Sequence, residues 1–510
     1  MRFNILKKAA QVTNHGGAKA YALTPELELY STVVTASLND QFYEKADTKL
    51  ERIRELIAKN DPQFVAKLAV YTREKMYMRT VPLVLTVELA KLHQGDDLVG
   101  KLTGRVIQRA DEITELLAYY TLANDRGETV KKLNRLSKQI QKGLVTAFNK
   151  FDEYQFAKYN RKTAITLKDA LFIVHPKAKD ETQQALFNKI VNNELSTPYT
   201  WETELSAAGQ YTYKDELQKA EAFKAVWTQL IESGKLGYMA ALRNLRNMLQ
   251  YGVTAAYMLK VARMLSDREA IMKAKQFPFR YLAAYREIKD LKHSCLPDIR
   301  NAIEAALQTS VSTLKGFDSD TRVVIACDVS GSMQQPISPK SKVLLYDIGL
   351  LLGMLLKHRC KNVVSGMFGD TWKIVDMSSD KILSNVDEFY RREGEVGYAT
   401  NGFLVLEDLI KRKQVADKIM LFTDGQLWDS TTNNNAAANA ISAKWTWYKQ
   451  HVAPDAKLYL FNLAGYNTVP LDVRQDDVYL IAGWSDKIFG ILDAIERGSD
   501  AVTEIAGLSF

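Results

Sequence analysis

Cysteine is scarce in this 510-residue chain: Cys295, Cys327 and Cys360 stand far apart, with no paired spacing. That argues against a disulfide framework and against a zinc site. Long apolar runs are also missing, since none approaches the roughly 20 residues that span a bilayer. The opening MRFNILKKAAQVTNHGG lacks the apolar core of a signal peptide. The expectation is therefore a cytoplasmic chain with no membrane partner, and a monomer is taken as the default. Only six histidines are present, without a metal-ligand pair, and there is no G-x-x-x-x-G-K-[ST] loop and no G-x-S-x-G turn. These absences point away from an enzyme.

What is present begins with length, which exceeds one hydrophobic core and predicts two or three domains. Charge is divided unevenly. Residues 1–300 hold 47 Lys and Arg against 34 Asp and Glu, whereas the remainder holds 21 against 26. A basic N-terminal part suits a polyanionic partner. The competing reading is basic surface that only keeps a helical domain soluble.

Residues 1 to about 300 read as successive helices. Apolar residues recur at three-to-four spacing in Phe64–Lys75, Leu133–Phe148, Glu221–Ser233, Met239–Gln250 and Ala255–Met264. No strand signal stands out there, and short polar breaks between helices suggest a solenoid of helix pairs or a plain bundle. After Gly316 the pattern changes. Arg322–Cys327, Val363–Phe368, Ile419–Thr423, Leu458–Leu463 and Val478–Ala482 are short apolar runs. Helical stretches at Lys342–His358, Phe403–Arg412, Ala436–Gln450 and Asp486–Arg497 alternate with them. Alternation of this kind predicts a doubly wound parallel α/β sheet, with domains at 1–316 and 317–510.

Ligands of such a sheet sit beyond the C-terminal strand ends. The first strand runs directly into Asp328-Val329-Ser330-Gly331-Ser332, a turn that can aim three oxygens at one point, with Gly331 easing the backbone. The strand IMLFT ends in Asp424-Gly425, and Thr400 can add a hydroxyl from a third loop, although Thr423 and Thr371 also stand near strand ends. Two carboxylates and up to three hydroxyls suit a hard divalent ion, Mg²⁺ above all. The alternative is a serine-rich turn that merely caps the helix starting near Ser341. This segment resembles the von Willebrand factor A domain and its metal-ion-dependent adhesion site. The resemblance implies direct ligation by Ser330, Ser332 and Thr400, with Asp328 and Asp424 acting largely through water. By the resemblance an acidic residue would be commoner where Asn401 follows Thr400, which bears on the outer shell of the metal.

The densest positive stretch holds Lys131, Lys132, Arg135, Lys138, Lys142, Lys150, Lys158, Arg161 and Lys162, opposed only by Asp152 and Glu153. Lys131, Arg135, Lys138 and Lys142 are spaced for one helical face, and Tyr154, Phe156 and Tyr159 interleave with the cations. Cations and aromatics together can hold phosphates and stack unpaired bases. A solvated helix face with its aromatics in the core is the plainer alternative.

Asn14-His15-Gly16-Gly17, TREKMYMRTVP (72–82), LKDALFIVHPK (167–177), TPYTWETELS (197–206), MAALRNLRNM (239–248), LAGYN and IAGWSDKIFGILDAIE occur in that order. In this respect the chain resembles the Ro ribonucleoprotein family, a TROVE module followed by a von Willebrand factor A domain, in its compact bacterial or phage-type form. The resemblance implies an all-α, HEAT-like ring of helical repeats. It implies Y-type noncoding RNA on a basic outer face and single-stranded ends of misfolded RNAs in a central hole. Lys158, Lys162 and His175 would fall at RNA-contacting positions, with Arg161 adjoining. His175 alone would otherwise cap a helix before Pro176. An exoribonuclease is a possible protein partner on this reading. The competing function is a metal-dependent adhesion or docking protein in which RNA is secondary.

Overall fold

A computed structural model describes residues 11–13, 19–36, 46–124, 136–160, 163–274, 276, 278–311, 319–337, 341–427, 437–464, 468–472, 477–483, 492 and 500–510. They form two compact units. One holds the described residues of 25–34, 50–199 and 501–510, and the other those of 1–24, 35–49 and 200–500.

The first unit is helical. Polar side chains set the helix starts: Asp61 accepts from the Phe64 amide at 3.1 Å ahead of the Pro62–Glu74 helix. Asp152 and Thr166 do the same for Glu153–Tyr159 and Leu167–Val174, each in a reciprocal capping box. Of the expected Leu133–Phe148 helix, Lys138–Phe148 is seen with Ser137 as its cap, while residues 133–135 lie outside the described residues. The Lys138–Phe148 helix crosses the Leu98–Val106 helix very closely. A Cβ on Gly143 would stand 2.4 Å from Thr103 Cβ and 2.5 Å from the Gly100 carbonyl oxygen. Alanine would gain about 1 kcal/mol of helix propensity there. Overpacking against backbone costs about 1–3 kcal/mol and decides the sign. Gly143→Ala is thus expected to lower stability, measured as a lower urea midpoint.

The chain end returns to this unit. The Ala501–Ala506 helix packs on Pro62–Glu74, Lys67 Nζ donates to the Ala506 carbonyl at 2.6 Å, and Arg105 donates to that of Ser509 at 2.6 Å. The compact units consequently do not part at residue 316: the last ten residues group with the first unit, and the helices between 200 and 311 group with the sheet.

In the second unit, β3 (Arg322–Asp328), β4 (Asn362–Phe368), β6 (Lys418–Thr423), β7 (Lys457–Asn462) and β9 (Val478–Ala482) run parallel. They lie where the apolar runs predicted. The sheet order is β5-β4-β3-β6-β7-β9, and the edge strand β5 (Trp372–Ile374) is antiparallel to β4. A mixed sheet thus replaces the expected all-parallel one, because three residues are too few to carry a strand signal. The same holds for β1 (Gln11–Thr13) and β2 (Lys19–Ala22), which pair antiparallel and extend to β8 (Thr468–Val469), although the first 300 residues read as helix alone. The expected Asp486–Arg497 helix falls almost wholly outside the described residues.

Crossovers leave β3 in both directions, so the C-terminal ends of β3 and β6 flank the switch point where loops diverge. The Pro278–Ile288 and Leu296–Val311 helices pack on Leu345–Arg359, which follows β3. Glu304 accepts from the Ile382 and Leu383 amides at 2.6 and 3.0 Å, capping the start of Leu383–Arg391.

Candidate metal centre and nucleic-acid interface

At the switch point, β3 delivers Asp328 and β6 delivers Asp424, both with no exposed surface. Asp328 Oδ1 accepts from the Ser330 amide at 2.9 Å, closing the turn that follows the strand. Its Oδ2 accepts from Thr423 Oγ1 at 2.8 Å, and Thr423 Oγ1 in turn accepts from the Gly425 amide at 3.2 Å. Asp424 Oδ1 accepts from the Gln426 amide at 3.0 Å. Burial first, and the Asp424 charge second, hold the Asp328 carboxyl well above the usual carboxylate range.

Ser330 and Ser332 are buried with their hydroxyl oxygens 3.2 Å apart. Neighbouring oxygens of a Mg²⁺ octahedron, with bonds of about 2.1 Å, lie about 3.0 Å apart. The donor set therefore fits a hard oxygen-loving ion: two carboxylates whose mutual repulsion a cation would relieve, and two hydroxyls at ligand spacing. Among the described residues no group of three His, Cys, Asp or Glu is placed to hold a metal, so the serine hydroxyls are needed to complete this donor set. The helix after this loop starts at Leu345 and is capped by Asp347 accepting from the Leu344 amide at 3.0 Å, so the serines are not its caps.

Thr400 Oγ1 donates to the Gln426 carbonyl at 3.2 Å, which seats it beside the Asp424 loop. Asn401 is buried; its side-chain amide donates to the Asp370 carbonyl at 3.1 Å and its main-chain N–H to that of Gly369 at 3.2 Å. An acidic side chain could not donate there, which gives Asn401 a holding role. Gly331 has an ordinary φ and open space where a Cβ would stand, so its expected easing of the backbone is not needed. The positive φ values belong to Gly397 (+73°) and Gly425 (+86°), and a Cβ on Gly397 would overlap the Asp370 carboxylate at 1.9 Å.

The basic residues sit in the helical unit. Lys131, Arg135, Arg161 and Lys162 lie outside the described residues, so the four-cation helix face is described for Lys138 and Lys142 alone. Both are exposed, while Ile140 and Leu144 are fully buried behind them. Lys138 Nζ approaches Gln141 Oε1 at 3.4 Å, and Gln141 Nε2 donates to the Val174 carbonyl at 3.0 Å, which ties this helix to the end of Leu167–Val174. His175 caps the Leu167–Val174 helix in the left-handed region, its N–H donating to Leu171, with its ring exposed. Asn149, at the end of the Lys138–Phe148 helix, bonds to Lys177 and Lys179 beyond His175. Lys150 is turned differently: its ammonium donates to the Gly104 and Ile107 carbonyls at the end of the Leu98–Val106 helix.

Lys158 lies 5.8 Å from the Tyr154 ring centroid and 5.7 Å from that of Tyr159. Arg109 stacks on the other partner, Tyr159, at 4.2 Å. Tyr154 is half exposed, whereas Phe156 belongs to the core. Arg109 and Gln141 had no sequence signal as interface residues: Arg109 meets Tyr159 and Gln141 meets Val174 only through contacts distant in the chain.

The described residues thus combine a helical part with a doubly wound α/β sheet that carries a buried all-oxygen site at its switch point. The chain belongs to the TROVE domain family, whose domain is matched over residues 30–207 and 193–308. Its fold is that of a Ro protein: it aligns with the crystal structure of the Deinococcus radiodurans RO (RSR) protein at a TM-score of 0.61 and 16% identity, covering 93% of this chain and 100% of that one. Telomerase protein component 1 of Mus musculus is 24% identical over 304 residues, 46% of this chain and 11% of that protein. Its Rattus norvegicus counterpart is 23% identical over 354 residues, 56% of this chain and 13% of that protein. The chain thus spans about a tenth of the length of these curated relatives. Among the described residues no helix is long and apolar enough to cross a membrane.

Proposed function

We propose that the chain is a noncoding-RNA-binding protein of the Ro type without catalysis of its own. A Y-like structured RNA would lie on the basic face of the helical unit, and single-stranded ends of misfolded RNAs would enter a hole in the helical part. The observation that carries this reading is a set of cations with aromatics on a TROVE domain: exposed Lys138, Lys142 and His175, and Lys158 beside Tyr154 and Tyr159, with Arg109 stacked on Tyr159 and paired to Asp111. Cations there can neutralise phosphates, and the half-exposed Tyr154 ring offers a stacking face to an unpaired base.

The α/β sheet, read as a von Willebrand factor A-type domain, would hold one Mg²⁺ through Ser330, Ser332 and Thr400, with Asp328 and Asp424 behind them. The bound ion would accept one anionic ligand from outside, such as a carboxylate of an exoribonuclease. The buried, ready-made donor set also favours a second reading, a metal-dependent docking protein for which RNA is secondary.

Salt titration of RNA binding separates the two. On the first reading affinity falls steeply with salt, and neutralising Lys158, Arg161 and Lys162 to glutamine weakens binding and makes the log–log slope shallower by about two. Unchanged affinity and slope in the triple variant would sink the assignment of that face. Sequencing the RNA that co-purifies from cells identifies the ligand, and a specific small structured RNA is the expected result.

A further inference from the structure

The sheet-bearing unit carries a cationic surface that the proposed function does not use. Residues 235–300 hold 13 Lys and Arg against five Asp and Glu. Within them the Tyr238–Arg243 and Leu245–Gln250 helices run beside Pro278–Ile288 in the same sense. The Tyr238 and Tyr281 hydroxyls meet at 3.0 Å toward one end, and Arg246 Nη1 meets Glu287 Oε2 at 2.8 Å toward the other.

Exposure recurs at Arg243, Arg246 and Gln250 on one side, and at Arg280, Ala283 and Glu287 on the other, the last two only in part. These positions are three or four apart, so each set is a stripe, and the Arg246–Glu287 pair lays the stripes on one surface. Lys342, in the segment between the Ser332 loop and the Leu345–Arg359 helix, also reaches Glu287 at 3.3 Å. Glu287 is therefore shared by two cations, Arg246 and Lys342. Among the described residues, Arg243 and Arg280 form no ion pair. No large apolar side chain is exposed within residues 238–250 or 278–288.

We propose that Arg243, Arg246, Arg280 and Lys342 form a second binding surface for the phosphate backbone of an RNA strand, an inference that rests on the chain being an RNA-binding protein. Seven residues of helix separate Arg280 from Glu287, about 10 Å along the axis. That is about three steps of a stacked strand at roughly 3.4 Å each. Three of the four cations are arginines, whose planar fork matches phosphate oxygens in pairs. A protein partner would need an apolar patch at the centre of its interface, and this surface has none.

The test uses the full chain with Arg243→Gln and Arg280→Gln together, since neither side chain holds an ion pair whose loss would unfold the protein. A melting temperature equal to the parent's establishes that. The probes are a fluorescent 20-nucleotide oligouridylate and a small RNA hairpin, each titrated across salt. Oligouridylate affinity is expected to fall on the order of tenfold at 0.15 M salt, with a slope shallower by about 1.4, or 0.7 for each lost phosphate contact. If the parent binds the RNAs and the double variant binds them equally well with the same slope, this surface is overturned while the RNA-binding reading stands. If the parent binds neither RNA, that reading itself fails and takes the surface with it. Displacement of the RNA by polyglutamate at equal charge would overturn the partner class in favour of an acidic protein.

Discussion

Arg286→Ala is expected to cost the sheet-bearing unit roughly 3–5 kcal/mol, the usual penalty for removing one partner of a buried ion pair. Arg286 leaves the Pro278–Ile288 helix and ends against two others. Its Nη2 lies 2.5 Å from Asp347 Oδ1 on Leu345–Arg359, and its Nη1 lies 2.9 Å from Asp387 Oδ1 on Leu383–Arg391. The Tyr285 hydroxyl donates to the second oxygen of Asp387 at 2.6 Å. The Arg286 side chain is 7% exposed and that of Asp347 1%, so little solvent screens the pair. Burial pushes the Asp347 carboxyl up, and the Arg286 charge pulls it back. Without the guanidinium, Asp347 and Asp387 would face each other uncompensated. The measurement is a thermal melt, with an expected drop on the order of 10 °C. Adding Asp347→Asn and Asp387→Asn to the alanine variant should recover part of the loss, because the orphaned charges go with it. A drop under about 1 kcal/mol would mean that water reaches the network and that these helices are held by apolar packing alone.

That network was not legible in the sequence, because 61 and 101 residues separate Arg286 from its two carboxylates and no local pattern joins them. What could be read was what local physics dictates. Five short apolar runs became five parallel strands since strands covered on both faces must be apolar throughout. The Asp328 turn and Asp424 could be paired because both end such strands. Short elements were lost: β1, β2 and β5 are three or four residues long, below the length at which alternation can be seen. Glycine was misjudged for a similar reason. Gly331 looked necessary within the metal turn, yet left-handed backbone is demanded at Gly397, where Asp370 closes in from a loop 27 residues earlier. Thr423 had been only one of several hydroxyls near strand ends until its bond to Asp328 gave it an orienting role. The basic face was partly legible. Lys138 and Lys142 are where spacing put them, but Lys150 spends its ammonium on two carbonyls and is poorly placed to meet phosphate.

Mg²⁺ is expected to stabilise the parent protein, and Asp328→Asn is expected to abolish that effect while leaving RNA affinity nearly unchanged. Two fully buried carboxylates at one switch point repel each other, and a divalent ion replaces that repulsion with attraction. At an ion concentration 100 times its dissociation constant, linkage gives about 2.7 kcal/mol of added stability, readable as a rise in melting temperature. Asparagine keeps the shape: its oxygen can still accept from the Ser330 amide, and its side-chain N–H can donate to the Thr423 hydroxyl oxygen in place of the bond it received, so the variant should fold. Free of metal, it should match or exceed the parent's melting temperature, because one of the two like charges is gone. Ser330→Ala tests the hydroxyl half of the donor set without changing charge, and it should reduce the Mg²⁺ response without removing the carboxylate repulsion. Equal Mg²⁺ shifts in parent and Asp328→Asn would remove the ion from this site. Loss of RNA binding in Asp328→Asn, with the fold intact, would instead place an RNA phosphate on the ion. The division between a helical RNA-binding face and a separate docking centre would then be wrong.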